Sequence, residues 1–492
     1  MSTNIGMTDR PASGLSGNGT ARSRLPRWMP RLRSSRLAVD AYLIAEFLVI
    51  YACGHAAAAY HVGYNLEASY LAQYSMPLVA LPLVFVAVAH GRRLYEFHAL
   101  CAVSNHVGRA IGCLIAAFAI VIALGFGLGV ANDFSRIWLG LWFGSSAAAL
   151  VVARIAAGAV LVRAARAGLI RRRTIVYGNA ASVARVDEEI ARSTPEMQVV
   201  GMFYSDKGGY PSNEGHARRM LADLVSFAQS EDVDLVIVAR DAFATDSLPD
   251  ALAALSVLPA EVQLFLDAGG SSVPVRGVST LNGLALLDVQ RRPISGWNRL
   301  LKAVEDYAIA GVALVALAPV FLLIAAAIRL DSAGPVFFRQ RRHGLNHAII
   351  NVWKFRTMHV MEDGDDVAQA VRGDSRVTRV GRFLRRTSLD ELPQLFNVLA
   401  GEMSIVGPRP HPLALNNHYV ELLDRYGNRH KVKPGITGWA QINGFRGPTE
   451  DPYLMQRRVW FDLDYIERWS VWMDLKIIAL TPFRGLVHPN AL

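Results

Sequence analysis

Four apolar runs fill the first third of the chain, approximately Leu37–Tyr60, Tyr70–Ala89, Ala110–Ala131 and Ile137–Val162. Each is near the roughly 20 residues that an α-helix needs to cross a bilayer. A lipid-exposed backbone must satisfy its own hydrogen bonds, so runs of this length predict a bundle of membrane helices. The first run starts late and three more follow, which argues for a multi-pass bundle over a signal peptide. Sidedness follows from the arginines. Arg22, Arg24, Arg27, Arg31, Arg33 and Arg36 precede the first run, Arg92, Arg93 and Arg109 lie between the second and third, and Arg163, Arg166 and Arg171–Arg173 follow the fourth. The loop at 62–69 has no Lys or Arg. The positive-inside rule then places both ends of the bundle in the cytoplasm. Asp40 and Glu46 fall in or near the first run. They read as interface residues or as partners within the bundle, ahead of a functional intramembrane acid.

Composition agrees with a membrane protein: 52% of the 492 residues are hydrophobic. The formal charge is +10. Its arginines flank apolar segments, so anionic lipid or phosphorylated substrates fit better than nucleic acid. Cys53, Cys101 and Cys113 lack metal-ligand spacing and read as inert, reduced thiols. Residues 1–36 are rich in Ser, Gly, Pro and Arg and read as a disordered basic tail, with the four-helix region at 37–165.

Residues 170–290 alternate strand and helix. "TIVYGN", "VVGMFYS", "VDLVIVAR" and "VQLFLDAG" read as strands of a small open α/β sheet of Rossmann type. A dinucleotide fingerprint needs three glycines, and "YGNAAS" supplies one. Asp206 is too far along to serve as the ribose acid. A spacer or regulatory role is therefore expected here, and a nucleotide-sugar dehydratase or epimerase built on this region is disfavoured.

A second apolar feature, Asp306–Leu330, is uncharged from Ala308 to Ile328. Pro319 near its middle removes a backbone hydrogen bond and bends a helix. Arg299 and Lys302 precede it, Arg329 follows it, and the segment beyond is strongly basic. A fifth crossing would place that segment outside, against the charge rule. The expectation is a re-entrant helix kinked at Pro319, with a plain crossing as the alternative.

The remaining chain carries the candidate chemistry. Lys354 and Arg356, two residues apart, would share a face if the strand reading holds through both. Asp390 and Glu391 precede Pro393, which is tolerated only in the first turn of a helix, so the helix over Leu392–Leu399 begins close to the carboxylates. Ser388 and Glu391 also fit a capping box, with Asp390 an acceptable N-cap. Against that structural reading stands the surplus of cations: Lys354, Arg356, Arg385, Arg386 and Arg409. Two acids among such cations suit a site for a polyphosphate and a divalent metal such as Mg²⁺. Acidic Glu362–Asp366 lacks EF-hand spacing and reads as a solvated loop.

Four stretches, "KFRTM" (Lys354–Met358), "RRTSLDELPQLFNVLAGEMSIVGPRP" (Arg385–Pro410), "KPGITGWAQINGFRG" (Lys433–Gly447) and "FDLDYIERWSVWMDLKII" (Phe461–Ile478), resemble the bacterial sugar transferases, the monotopic phosphoglycosyl transferases. The likeness runs from about Ile294 to the end, and the long-form members share the N-terminal layout. It implies a membrane α-helical bundle, a degenerate Rossmann-like α/β domain, and an α+β catalytic domain at 294–492 with a re-entrant membrane helix. It further implies transfer of hexose 1-phosphate from a UDP-sugar to undecaprenyl phosphate at the cytoplasmic face of a bacterial inner membrane, starting an exopolysaccharide or capsule repeat unit. "GPRPHPLALNNHY" and "RHKVKPGITGWAQINGFRG" look closest to the glucose-1-phosphate enzymes. Galactose or N-acetylhexosamine 1-phosphate is the alternative, as is a non-catalytic scaffold of polysaccharide assembly. By the same resemblance Asp390 is the nucleophile, Asp390 and Glu391 hold Mg²⁺, and Glu391 acts as a base in one half-reaction. Lys354, Arg356, Arg385 and Arg409 hold phosphates. A homodimer stays open. Members often carry Ser-Pro at the kink, where this chain has Ala318-Pro319. Trp460, Phe461, Tyr465, Trp469, Trp472 and Lys476 read equally as membrane-surface residues or as core aromatics.

Overall fold

The computed structural model describes residues 35–62, 68–92, 94–95, 97, 100, 103–129, 134–167, 170, 172–193, 197–205, 214–239, 248–265, 278–281, 284–359, 374–423, 425–447 and 451–485. The basic tail to residue 34, Cys101, Asp206 and the acidic run Glu362–Asp366 lie outside these residues.

The four apolar runs are helices: α1 (Ser35–Val62), α2 (Ala68–Gly91), α3 (Val103–Gly127) and α4 (Arg136–Arg166). With the long helix described below, five helices among the described residues are long and apolar enough to cross a membrane. Lipid offers no hydrophobic drive between helices, so close packing and polar contacts must hold them together. Trp138 and Trp142 on α4 are fully buried, and their indole N–H groups donate to the carbonyls of Gly54 (3.1 Å) and Ile50 (2.8 Å) on α1. Those carbonyls lie one turn apart on α1, so the two tryptophans bind one stripe of it.

Glu46 is paired inside this bundle. Its carboxylate accepts from Arg154 Nε (2.9 Å) and Nη2 (3.0 Å) on α4, from Tyr42 Oη (2.5 Å) and from Tyr95 Oη (2.9 Å). Glu46 is wholly buried and Arg154 nearly so. Asp40 instead accepts from the indole of Trp297 (2.8 Å), at the start of the catalytic region.

The middle of the chain forms a six-stranded sheet in the order β2-β1-β3-β4-β6-β5. β1 (Arg172–Gly178) pairs in parallel with β2 (Met197–Tyr204) and β3 (Leu235–Ala239), and β3 with β4 (Glu261–Phe265). The hairpin β5 (Val278–Leu281) and β6 (Leu284–Gln290) closes it antiparallel to β4. Buried residues on both faces give the near-continuous apolar strands that a helix-covered parallel sheet requires. Those runs read as strands in the sequence, whereas the closing hairpin had no such signal.

The C-terminal region begins with α8 (Gly296–Asp331), an uninterrupted helix containing Pro319, reached after α5 to α7 (Ala180–Ser193, Glu214–Ser230, Leu248–Leu255). The hairpin β7 (Phe337–His343) and β8 (Ile349–Phe355) follows. Its tip meets the α/β sheet region. Asn346 takes the left-handed conformation (φ 53°), which an Asn tolerates, and its Nδ2 donates to the carbonyls of Ala228 (3.0 Å) and Gln229 (3.2 Å) at the end of α6. The rings of His343, His347 and His430 gather beside this contact. Burial pushes His347 down to about 4 and His430 well below the usual histidine range, so both are neutral at neutral pH.

Candidate active site

The segment from Arg379 to Leu399 sets the two carboxylates. α9 (Arg379–Thr387) is capped by Thr378, whose hydroxyl accepts from Gly381 N at 2.9 Å, and it ends where Ser388 turns left-handed (φ 58°). A 3₁₀ turn, Leu389–Glu391, follows, and α10 (Gln394–Leu399) starts after Pro393. The acids therefore sit just before the helix, as the proline requires. The capping box does not form: the Ser388 side chain makes no cap bond and instead accepts from Arg446 Nη2 at 2.6 Å.

The two acids have different surroundings. Glu391 accepts from Lys354 Nζ at 2.9 Å and from both terminal nitrogens of Arg409, at 2.7 and 3.0 Å, with Arg446 at 3.9 Å. These cations hold it well below the usual carboxylate range despite its burial. Asp390, beside it and also buried, makes no side-chain hydrogen bond among the described residues; burial outweighs the pull of Lys354 and raises its pKa. One carboxylate is a fixed anion that gathers cations, and the other is uncommitted. Uncommitted and more basic is the state that suits a nucleophile.

Of the cations expected around the pair, the structure brings Lys354 and Arg409 onto Glu391. Arg385 lies near enough to Asp390 to favour its ionised form, while its Nε donates to Thr357 Oγ1 at 3.1 Å. Arg356 is directed elsewhere. Its guanidinium is buried and donates to the carbonyls of Ala333 and Ser332 and to Ser332 Oγ, at the end of α8. β8 ends at Phe355, so strand alternation does not carry Arg356 onto the face of Lys354. Arg446 was not singled out by sequence reasoning, although it lies within the quoted "INGFRG"; a lone arginine before a glycine gives no sign that its chain will fold back 55 residues onto Glu391.

Two short parallel strands align the arginine loops. β9 (Ser404–Val406) pairs with β10 (Gly435–Thr437), placing the loop of Arg409 beside the chain that leads to Arg446. Gly407 and Gly435 permit it: a Cβ on Gly407 would meet the Lys433 carbonyl oxygen at 2.5 Å, and one on Gly435 would meet Gly407 N at 2.1 Å. Only glycine allows the two backbones this approach.

The ends of α8 both pack on this region. Near its start, Lys302 pairs with Asp474 (2.7 Å) and Asp306 (3.1 Å), and Asp306 Oδ1 accepts from Ser404 Oγ (2.8 Å) and Ile405 N (2.9 Å). Near its end, Ile324 and Ile328 pack with Phe355 and Leu384, and Asp331 accepts from Val380 N at 3.0 Å. Between these contacts α8 stays packed through Ala310, Leu314, Leu317 and Phe321, while Val312, Val315, Leu322 and Leu323 are exposed. Of the C-terminal aromatics, Tyr465 is core, whereas Trp460 and Trp472 are exposed.

Helices apolar enough to cross a membrane are thus joined to a buried acid pair held among cations. Residues 297–488 match the bacterial sugar transferase family, and residues 93–265 match a CoA-binding domain family. A UDP-glucose:undecaprenyl-phosphate glucose-1-phosphate transferase of Escherichia coli (strain K12) is 43% identical over 367 residues, covering 73% of this chain and 78% of the relative. One of the same name from Xanthomonas campestris pv. campestris is 38% identical over 392 residues, covering 78% and 80%. A UDP-N-acetylgalactosamine-undecaprenyl-phosphate N-acetylgalactosaminephosphotransferase of Aeromonas hydrophila is 37% identical over 182 residues, covering 37% and 42%. The chain belongs to the bacterial sugar transferase family.

Proposed function

We infer that this enzyme transfers glucose 1-phosphate from UDP-glucose to undecaprenyl phosphate and releases UMP, the first step of an exopolysaccharide repeat unit. The observation that carries the reading is the division of labour at the acid pair, in a chain whose long relatives bear that activity in their names. In the first half-reaction an Asp390 carboxylate oxygen attacks the β-phosphorus of the UDP-sugar. The new O–P bond forms as the bond to the α-phosphate oxygen breaks, and UMP leaves with the bridging oxygen. In the second, an oxygen of the lipid phosphate attacks the same phosphorus, the bond to Asp390 breaks, and the carboxylate is restored. One phosphoanhydride replaces another, so positioning and charge neutralisation suffice.

Lys354, Arg409, Arg385 and Arg446 neutralise the phosphates, and Glu391 holds three of these four in place. A carboxylate kept that far below its usual range is a weak base, so nothing around Glu391 favours the general-base role. Among the described residues no group of three or more His, Cys, Asp or Glu could hold a metal. Mg²⁺ normally completes its shell with substrate phosphates and water and needs only one or two carboxylates. Asp390 fits that demand, whereas the Glu391 oxygens are already engaged. Bound there, Mg²⁺ would neutralise phosphate charge.

The packing of one face of α8 on the catalytic region from Lys302 to Ile328, with Val312, Val315, Leu322 and Leu323 left exposed, supports a re-entrant anchor bent at Pro319 whose exposed side lies in lipid. Exposed Trp460 and Trp472 would rest at the same membrane surface. With the arginine bias of the N-terminal loops, this gives a bundle at 37–165, an α/β domain at 170–290 and a cytoplasmic catalytic domain at 294–492, in a bacterial inner membrane. Cysteine introduced near Leu492 is expected to react with a thiol reagent only after the membrane is permeabilised. Labelling in intact spheroplasts by an impermeant reagent would refute that topology.

The activity test offers the full chain in nanodiscs undecaprenyl phosphate and Mg²⁺ with UDP-glucose, UDP-galactose or UDP-N-acetylhexosamines. UMP and a lipid-linked hexose are expected with UDP-glucose. Release with an N-acetylhexosamine donor alone would move the substrate assignment, and no UMP with any donor would overturn the reading.

A further inference from the structure

Behind the acid pair lies a second set of guanidinium groups that never touch it. Arg429 and Arg458 are buried and Arg342 is half-buried, and each binds main-chain carbonyls of the loops that bear the phosphate-facing arginines. Arg429 Nη2 donates to the carbonyl of Arg409 itself (3.0 Å) and to Asp462 Oδ2 (2.6 Å). Arg342 donates to the carbonyl of Pro410 and, at 2.7 Å, to Gln340 Oε1. Arg458 donates to the carbonyls of Phe445 (2.7 Å) and Gly447 (2.6 Å), the residues on either side of Arg446. The two loops meet at His411, which is buried between Arg429 Nη1 (2.6 Å from its Nδ1) and Arg458 Nη1 (3.2 Å from its Nε2).

We propose that Arg458, with Arg429 and Arg342, is a positioning residue that sets the spacing between Arg409 and Arg446 and thereby the fit of the phosphate site to a diphosphate. This rests on the reading that Arg409 and Arg446 bind the nucleotide's phosphates. An arginine bridging two carbonyls and an imidazole has a planar fork that fixes all three directions at once, which a lysine cannot copy. Charge balance points the same way. A carboxylate partner is normal for a buried guanidinium. Arg429 has Asp462, but among the described residues neither buried Arg458 nor half-buried Arg342 forms an ion pair with an acid, and desolvation pushes both down to about 10. Cations kept at that cost are held for their geometry and for the anion they help attract.

Arg458→Lys keeps the charge and removes the fork; Arg458→Met removes both. UDP is the probe, titrated calorimetrically into the full-length protein in nanodiscs. Both variants are expected to lose at least tenfold in UDP affinity, with a matching rise in KM for the UDP-sugar and kcat within a few-fold of wild type. Wild-type UDP affinity in Arg458→Lys would show that charge alone matters and overturn the proposal. A fall in kcat at unchanged KM would also overturn it. Should Arg458 variants not fold, Arg342→Lys, which loosens only the Pro410 side, carries the same expectation and the same refutation. Failure of wild type itself to bind UDP would strike the functional reading instead.

Discussion

Asp390→Asn is expected to abolish turnover, by a factor on the order of 10⁴ or more, the scale on which loss of a covalent nucleophile is felt. An amide oxygen is a poor nucleophile toward phosphorus, and the variant should keep its neighbours because the Asp390 carboxylate makes no side-chain hydrogen bond among the described residues. The decisive measurement omits the lipid. With UDP-glucose and Mg²⁺ alone, wild type should release about one UMP per site and gain a hexose-phosphate adduct visible by intact mass, since covalent catalysis lets the first product leave before the acceptor reacts. Asp390→Asn should show neither burst nor adduct. The burst rate should also fall with acidification at a higher pH than an ordinary aspartate would give, because burial raises the pKa of Asp390 and only its ionised form attacks. Direct attack by lipid phosphate in a ternary complex predicts no UMP before lipid is added. That result, in protein that turns over once lipid is supplied, would eliminate the covalent route.

The second large effect lies in the bundle. Removing one partner of a buried ion pair costs about 3–5 kcal/mol, because the other charge is left without compensation. Glu46→Gln leaves Arg154 in that position, and a guanidinium cannot shed its proton. Arg154→Met leaves Glu46 with its bonds from Tyr42 and Tyr95. Glu46→Gln should therefore be the more damaging change, and the double variant Glu46→Gln/Arg154→Met should recover much of the loss. Unfolding of the detergent-solubilised chain, followed by tryptophan fluorescence from buried Trp138 and Trp142, provides the readout. Equal and additive losses would show that the two residues stabilise the bundle separately.

Much of this architecture is written locally. Apolar runs of bilayer length, strands between glycines and helices, and a proline two residues after Glu391 each act over a few positions, so the bundle helices, the parallel core of the sheet and the placement of the acid pair could be read directly. The sequence likewise offered pairing within the bundle, beside interface placement, for Glu46, and marked Lys354 and Arg409 as cations near the pair.

What the linear chain could not determine is which distant group each of these meets. Arg154 lies 108 residues from Glu46, and only packing of α4 on α1 joins them. Arg356 looks like a twin of Lys354 until the strand ends at Phe355 and its guanidinium turns to the end of α8. Arg446 reaches Glu391 because Gly407 and Gly435 let two backbones touch, and Arg458 acts through carbonyls, which carry no side-chain signature. Residue type and spacing determined the elements and the chemistry on offer. Long-range contact determined that Glu391 would be spent on cations while Asp390 stayed free, because electrostatic partners are chosen by distance in space.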